Sequence, residues 1–171
     1  MGILRNRGND DAVQRFQMRE KLLSIGDDYW IEDEQGNRAF RVNGKALRVR
    51  HTFLLEDASG QEVAKIQERK LSVRDKIVIE RDGQKVATVR KALVGIRARF
   101  AIDLEHGEDL KAHGNIVDHE FEIERDGDTV AQISKRWFRV RESYGVEIQG
   151  GEDVALVLAM VVALESLTDE G

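Results

Sequence analysis

Residues 154–164 read VALVLAMVVAL, an apolar run bounded by Asp153 and Glu165. As a helix it is about 16 Å long, against about 30 Å of bilayer hydrocarbon, so it is too short to span a membrane. It is apolar on every face, and such a helix is surrounded by protein or by lipid. A helix packed on the outside of a β-sandwich would show one polar face, and this run shows none before Glu165. The expected place for it is the inside of the fold.

What encloses it is written in the turns. Gly36, Gly60, Gly83, Gly107, Gly127 and Gly150 recur at separations of 24, 23, 24, 20 and 23 residues. Each lies in a short polar segment, such as EDEQGN, EDASGQ, ERDGQ or ERDGD, flanked by runs such as IVIE and KVATV or FEIE and TVAQI. These runs alternate apolar with polar residues and are rich in Val and Ile, the pattern of half-buried strands. Asp82-Gly83 and Asp126-Gly127 are type I′ hairpin signals, because both central positions need φ > 0. Six such units give about twelve consecutive antiparallel strands. The expected fold is mainly β: an antiparallel closed barrel of about twelve strands enclosing a hydrophobic C-terminal α-helix. Closure removes exposed sheet edges, and a barrel without edges has few places for proline, of which the 171 residues contain none. Eight strands already fill a barrel with side chains, whereas twelve leave room for a helix about 10–12 Å across. Residues 1–16 are expected to form a mobile arm and 17–171 a single barrel domain.

The stretch MREKLLSIGDDYWIEDEQGNRAFRVNGKALRVRHTFLLEDASG (18–60), followed by IQERKLSVRDKIVIERDG (66–83) and DHEFEIERDGDTVAQISKRWF (118–138), resembles the LURP-one-related family of the tubby C-terminal-like superfamily. The resemblance runs from about Phe16 to Leu167. It implies a twelve-stranded barrel wrapped around a hydrophobic C-terminal helix, in agreement with spacing and helix length. Its relatives include phosphoinositide-binding tubby domains and phospholipid scramblases. No lipid-contacting residue of tubby aligns to a specific position here, and the cysteine-rich lipidation segment of scramblases is absent. The motifs are structural and speak to fold more than to function.

Charge divides along the same repeat. The formal net charge is −5, from 27 Lys and Arg against 32 Asp and Glu, which argues against a dedicated nucleic-acid binder. Turns within hairpins hold acids, among them Asp33, Asp57, Asp82, Glu105, Asp109, Asp126, Glu152 and Asp153. Connections between hairpins hold bases, including Lys45, Arg48, Arg50, Arg90 and Lys91. The candidate binding residues for an anionic headgroup are Arg69, Lys70, Arg74, Lys76, Arg97, Arg99, Lys135, Arg136, Arg139 and Arg141. In an up-and-down barrel the two sets gather at opposite ends, so a basic rim can face an anionic surface despite the net charge, fields acting over about 8–10 Å. The same bases also fit a solvated rim whose long side chains cover apolar surface. Trp137 and Phe138, set among Lys135, Arg136 and Arg139, read either as membrane-inserting or as core aromatics.

Motifs for chemistry are scarce. With no cysteine there is no disulfide, thiolate zinc site, iron–sulfur cluster or cysteine nucleophile, and nothing points to an oxidising compartment. G-x-S-x-G, P-loop and strand-linked G-x-G-x-x-G motifs are missing. His51, His106, His113 and His119 lack helical metal-ligand spacing, and Asp118-His119-Glu120 alternates faces if it is extended. Met1–Phe16 has no apolar signal run. The expectation is a cytoplasmic, non-enzymatic protein, without metal or cofactor, either docking on anionic phospholipid or phosphoinositide at a membrane periphery or acting as a protein-interaction scaffold, with an enzyme using a rim carboxylate or His119 as the residual reading.

Overall fold

Alternation along each strand becomes an inside and an outside. The computed structural model of this chain describes residues 12–19, 28–44, 52–69, 76–92, 99–115, 118–137 and 143–168. They form β1 (Gln14–Arg19), β2 (Tyr29–Asp33), β3 (Arg38–Asn43), β4 (Thr52–Asp57), β5 (Glu62–Arg69), β6 (Lys76–Arg81), β7 (Gln84–Ala92), β8 (Arg99–Leu104), β9 (Leu110–Asn115), β10 (Glu120–Arg125), β11 (Asp128–Ser134), β12 (Ser143–Ile148) and the helix α1 (Val154–Thr168). The strands pair in sequence order, every pair antiparallel, and β1 closes the barrel against β12 through Gln14↔Ile148 to Arg19↔Ser143.

Inward positions are apolar all the way round: Met18, Ile31, Val42, Leu55, Ile66, Ile79, Val89, Ile102, Ile123, Ile133 and Val146 are all buried. α1 fills the lumen, and Val157 through Glu165 are buried without interruption. At about 22 Å its length matches strands of six residues, about 20 Å. Room for it comes from inward alanines set beside larger partners, Ala64 across from Leu55, Ala87 across from Ile79, and Ala112 and Ala131 on either side of Ile123. Among the described residues no helix is long and apolar enough to cross a membrane.

The turns behave as Asp-Gly chemistry requires. Asp82 and Gly83 take φ of 49° and 76°, and Asp126 and Gly127 take 49° and 88°. In four hairpins the register shifts at the glutamate that opens the turn segment, Glu32, Glu56, Glu80 and Glu124. A bulge at the same place in each unit adds local twist, which a closing sheet needs.

Two details differ from the sequence expectation. The turn at Gly150 does not join two strands; it leads from β12 into α1, with Gly151 at φ 81°. There are thus five hairpins, and the remaining wall strand comes from residues 14–19. The last part of the expected arm therefore lies in β1, where Phe16 is buried against the core. QRFQMR has only two apolar residues and no turn signal behind it, so its inclusion depends on pairing with β12.

Candidate functional site

At the hairpin end several acids are engaged in structure. Asp33 Oδ1 accepts the backbone N–H groups of Gln35 and Asn37 at 2.9 and 2.8 Å, and Asp57 Oδ1 accepts those of Ser59 and Gln61 at 2.9 and 3.0 Å. The Asn37 N–H is the main cause that holds the Asp33 carboxyl below its ordinary range, and the Ser59 hydroxyl plays that part for Asp57. Three of the cations here are matched as well, while Arg38 lies over the Trp30 ring with its guanidinium 4.9 Å from the centroid. Arg125 makes a bidentate pair with Glu152 at 2.7 and 3.1 Å, Arg81 grips both oxygens of Asp153, and Lys85 meets Glu105 at 3.0 Å. Asp153 also caps α1, accepting the Leu156 N–H at 3.1 Å. Burial works to raise its carboxyl pKa, and the hydrogen bonds from Arg81 and Leu156 outweigh it, so the net displacement is downward.

The connection end is different. The register places Arg69 opposite Lys76 and Lys76 opposite Arg90, a lateral row on the outer wall across β5, β6 and β7, and sets Arg99 against Ala92 one strand further on. Arg69 contacts Glu80 at 3.5 Å and Arg90 contacts Asp103 at 2.6 Å. Lys76, Arg99 and Arg136 form no ion pair among the described residues. Lys135 and Arg136 follow β11 in a turn held by Glu120, whose Oε1 accepts the Lys135 N–H at 3.1 Å and the Ser134 hydroxyl at 2.9 Å. Of the ten candidate residues, Arg69, Lys76, Arg99, Lys135 and Arg136 thus lie at or beside this end. Lys70, Arg74, Arg97, Arg139 and Arg141 lie outside the described residues, as do Lys45, Arg48, Arg50 and Phe138. Trp137 is half-buried, with the Arg15 guanidinium 5.6 Å from its ring centroid, so it lies against the outer wall.

Under this rim the C-terminal end of α1 carries a buried polar group that periodicity alone did not show. Glu165 Oε1 stands 2.9 Å from His119 Nδ1. The His119 ring stacks on Tyr144 at 4.3 Å, and Tyr144 donates its hydroxyl proton to Met18 Sδ at 3.7 Å. Tyr29 reaches the same region; burial first, and the Glu165 charge second, push its phenol well above the ordinary value of 10.0. His119 adopts φ 53° in the β9–β10 turn, which turns its side chain inward. Its neighbours go elsewhere, Asp118 to Asn115 at 2.6 Å and Glu120 to Ser134, so the three do not form one cluster.

A different cluster does form on the outer wall. His113 of β9 lies opposite Glu122 of β10 and diagonal to Glu124, with Nε2 3.1 and 3.0 Å from one oxygen of each. One donor atom from each of the three lies within 4.8 Å of the others. Contact with His113 first, and with Glu122 second, keeps the Glu124 carboxyl below its ordinary range. Glu122 and Glu124 share a strand face by simple alternation, but only the β9–β10 register brings His113 to them.

The family model described as LURP-one-related matches residues 14–165, from the start of β1 to Glu165 of α1. The chain belongs to the LURP-one-related family. No curated protein matches it. An X-ray structure of a protein from Arabidopsis thaliana is similar, with a TM-score of 0.68 and 16% sequence identity over 92% of this chain and 93% of that one. At that identity the likeness speaks for the fold, and this LURP-one-related chain and the plant protein share it over nearly their full lengths.

Proposed function

We propose that the chain is a non-catalytic binding module that docks, from the cytoplasmic side, on anionic phospholipid surfaces, phosphoinositide headgroups included, through the basic rim at the connection end. The observation that carries this reading is the unequal use of charge. Arg81, Arg125 and Lys85 at the hairpin end are matched by acids, whereas Lys76, Arg99 and Arg136 at the connection end are not matched among the described residues. Cations without a partner can meet phosphate without first breaking an ion pair. Each one near an anionic surface contributes about 1 kcal/mol. The resemblance to the tubby superfamily, with its phosphoinositide-binding members, supports the same reading. Membership of the LURP-one-related family and a lumen occupied by α1 favour binding over catalysis.

Vesicle flotation tests the proposal. The chain should float with phosphatidylcholine vesicles containing a phosphoinositide at low salt, remain at the bottom with phosphatidylcholine alone, and lose binding as salt rises. Failure to bind anionic vesicles at low salt would overturn it, and reproducible recovery of one protein partner from cells would then favour a scaffold.

A further inference from the structure

We propose that His113, Glu122 and Glu124 form a zinc-class divalent cation site on the outer wall of the barrel. The internal repeat shows that this patch departs from its equivalents. In each of four hairpins a glutamate marks the bulge, and the residue two places before it is Trp30, Leu54 or Val78 in three of them. In β10 that residue is Glu122. The bulge glutamates Glu56 and Glu80 pair with Arg41 and Arg69. Glu124 instead shares an imidazole with a second carboxylate. Two like charges on one strand face repel unless something between them compensates. A single Nε2 carries at most one proton, which cannot make two full-strength hydrogen bonds, whereas a cation can accept all three groups at once.

The geometry fits. In a tetrahedral zinc site with bonds near 2.0–2.1 Å, neighbouring donor atoms are about 3.4 Å apart. Here Nε2 lies 3.1 and 3.0 Å from the two carboxylate oxygens, so small side-chain rotations suffice. The ligands stand on paired strands of a closed barrel, which holds them in place. Side-chain exposures of 41% for His113, 31% for Glu122 and 27% for Glu124 leave a fourth position open to water. Lys111 lies across from Glu124 and Arg99 across from His113, while Glu108, Asp109 and Asp126 line the pocket beside Glu124. The imidazole nitrogen in the donor set selects against calcium and magnesium, which rely on oxygen donors, and for a borderline metal that imidazole binds well.

The untagged chain, stripped with chelator, is titrated by calorimetry with zinc chloride, and in parallel with calcium and magnesium chloride. Zinc should bind with one ion per chain, and calcium and magnesium should not compete. His113→Ala and Glu122→Gln should each weaken zinc binding by about tenfold or more. Both residues are on the outer wall, so both variants should keep the wild-type melting curve. His106→Ala, in the β8–β9 turn, should bind as wild type does. No zinc binding, unchanged affinity in His113→Ala, or a loss confined to His106→Ala would overturn the site.

Discussion

Tyr29 carries a buried phenol whose hydroxyl has no hydrogen-bond partner among the described residues. Leaving such a group unsatisfied costs about 1–3 kcal/mol, so Tyr29→Phe should leave the urea midpoint at pH 7 unchanged or raise stability by about 1 kcal/mol. Its pKa is raised in the fold, while the unfolded chain ionises near 10. Its protonated state therefore favours folding fully below pH 10, and that share is lost as pH climbs past 10. Wild type should lose stability more steeply than Tyr29→Phe between pH 9 and 11; parallel curves would contradict this. Glycines divide in a similar way. A Cβ on Gly114, at φ 127°, would come within 2.7 Å of Glu120 O and Phe121 Cα, backbone atoms that cannot step aside, whereas one on Gly83, at φ 76°, meets nothing within 4 Å. Gly114→Ala should cost about 3 kcal/mol or more and Gly83→Ala about 1–2 kcal/mol in urea unfolding.

α1 holds the barrel together from inside. Val157 and Met160 are 3% and 1% exposed, so Val157→Asp or Met160→Asp buries an unpaired charge and should abolish the cooperative unfolding transition. Asp153→Ala removes the helix cap and should cost about 1 kcal/mol, an effect read at neutral pH that should shrink in acid as the wild-type carboxyl protonates. This helix was legible in VALVLAMVVAL because an apolar run too short for a membrane needs a protein shell. The hairpins were legible because Asp-Gly and the recurring Gly positions carry their own backbone preferences. β1 was not, since Phe16 and Met18 alone make too weak an alternation and its partner β12 lies over a hundred residues away. For the same reason the basic residues could be assigned to an end but not to the lateral row Arg69–Lys76–Arg90, which needs cross-strand register. Register also hid the contact of His113 with Glu122 and Glu124, and the inward turn of His119 at positive φ.

At the scale of the whole molecule, a net charge of −5 conceals two ends with different uses for charge. The hairpin end uses its acids to build turns, to cap α1 and to pair with Arg81, Arg125 and Lys85. The connection end keeps Lys76, Arg99 and Arg136 out of such pairs among the described residues, and this asymmetry, more than total charge, is what supports the proposed anionic docking surface. The most direct test compares two triple variants with the same change in net charge. One is Lys76→Ala, Arg99→Ala and Arg136→Ala; the other is Arg15→Ala, Arg38→Ala and Lys85→Ala at the hairpin end. Binding to phosphoinositide-containing vesicles at low salt should fall roughly a hundredfold in the first, from about 1 kcal/mol for each cation removed, and stay close to wild type in the second. Equal binding by the two triple variants would contradict the assignment.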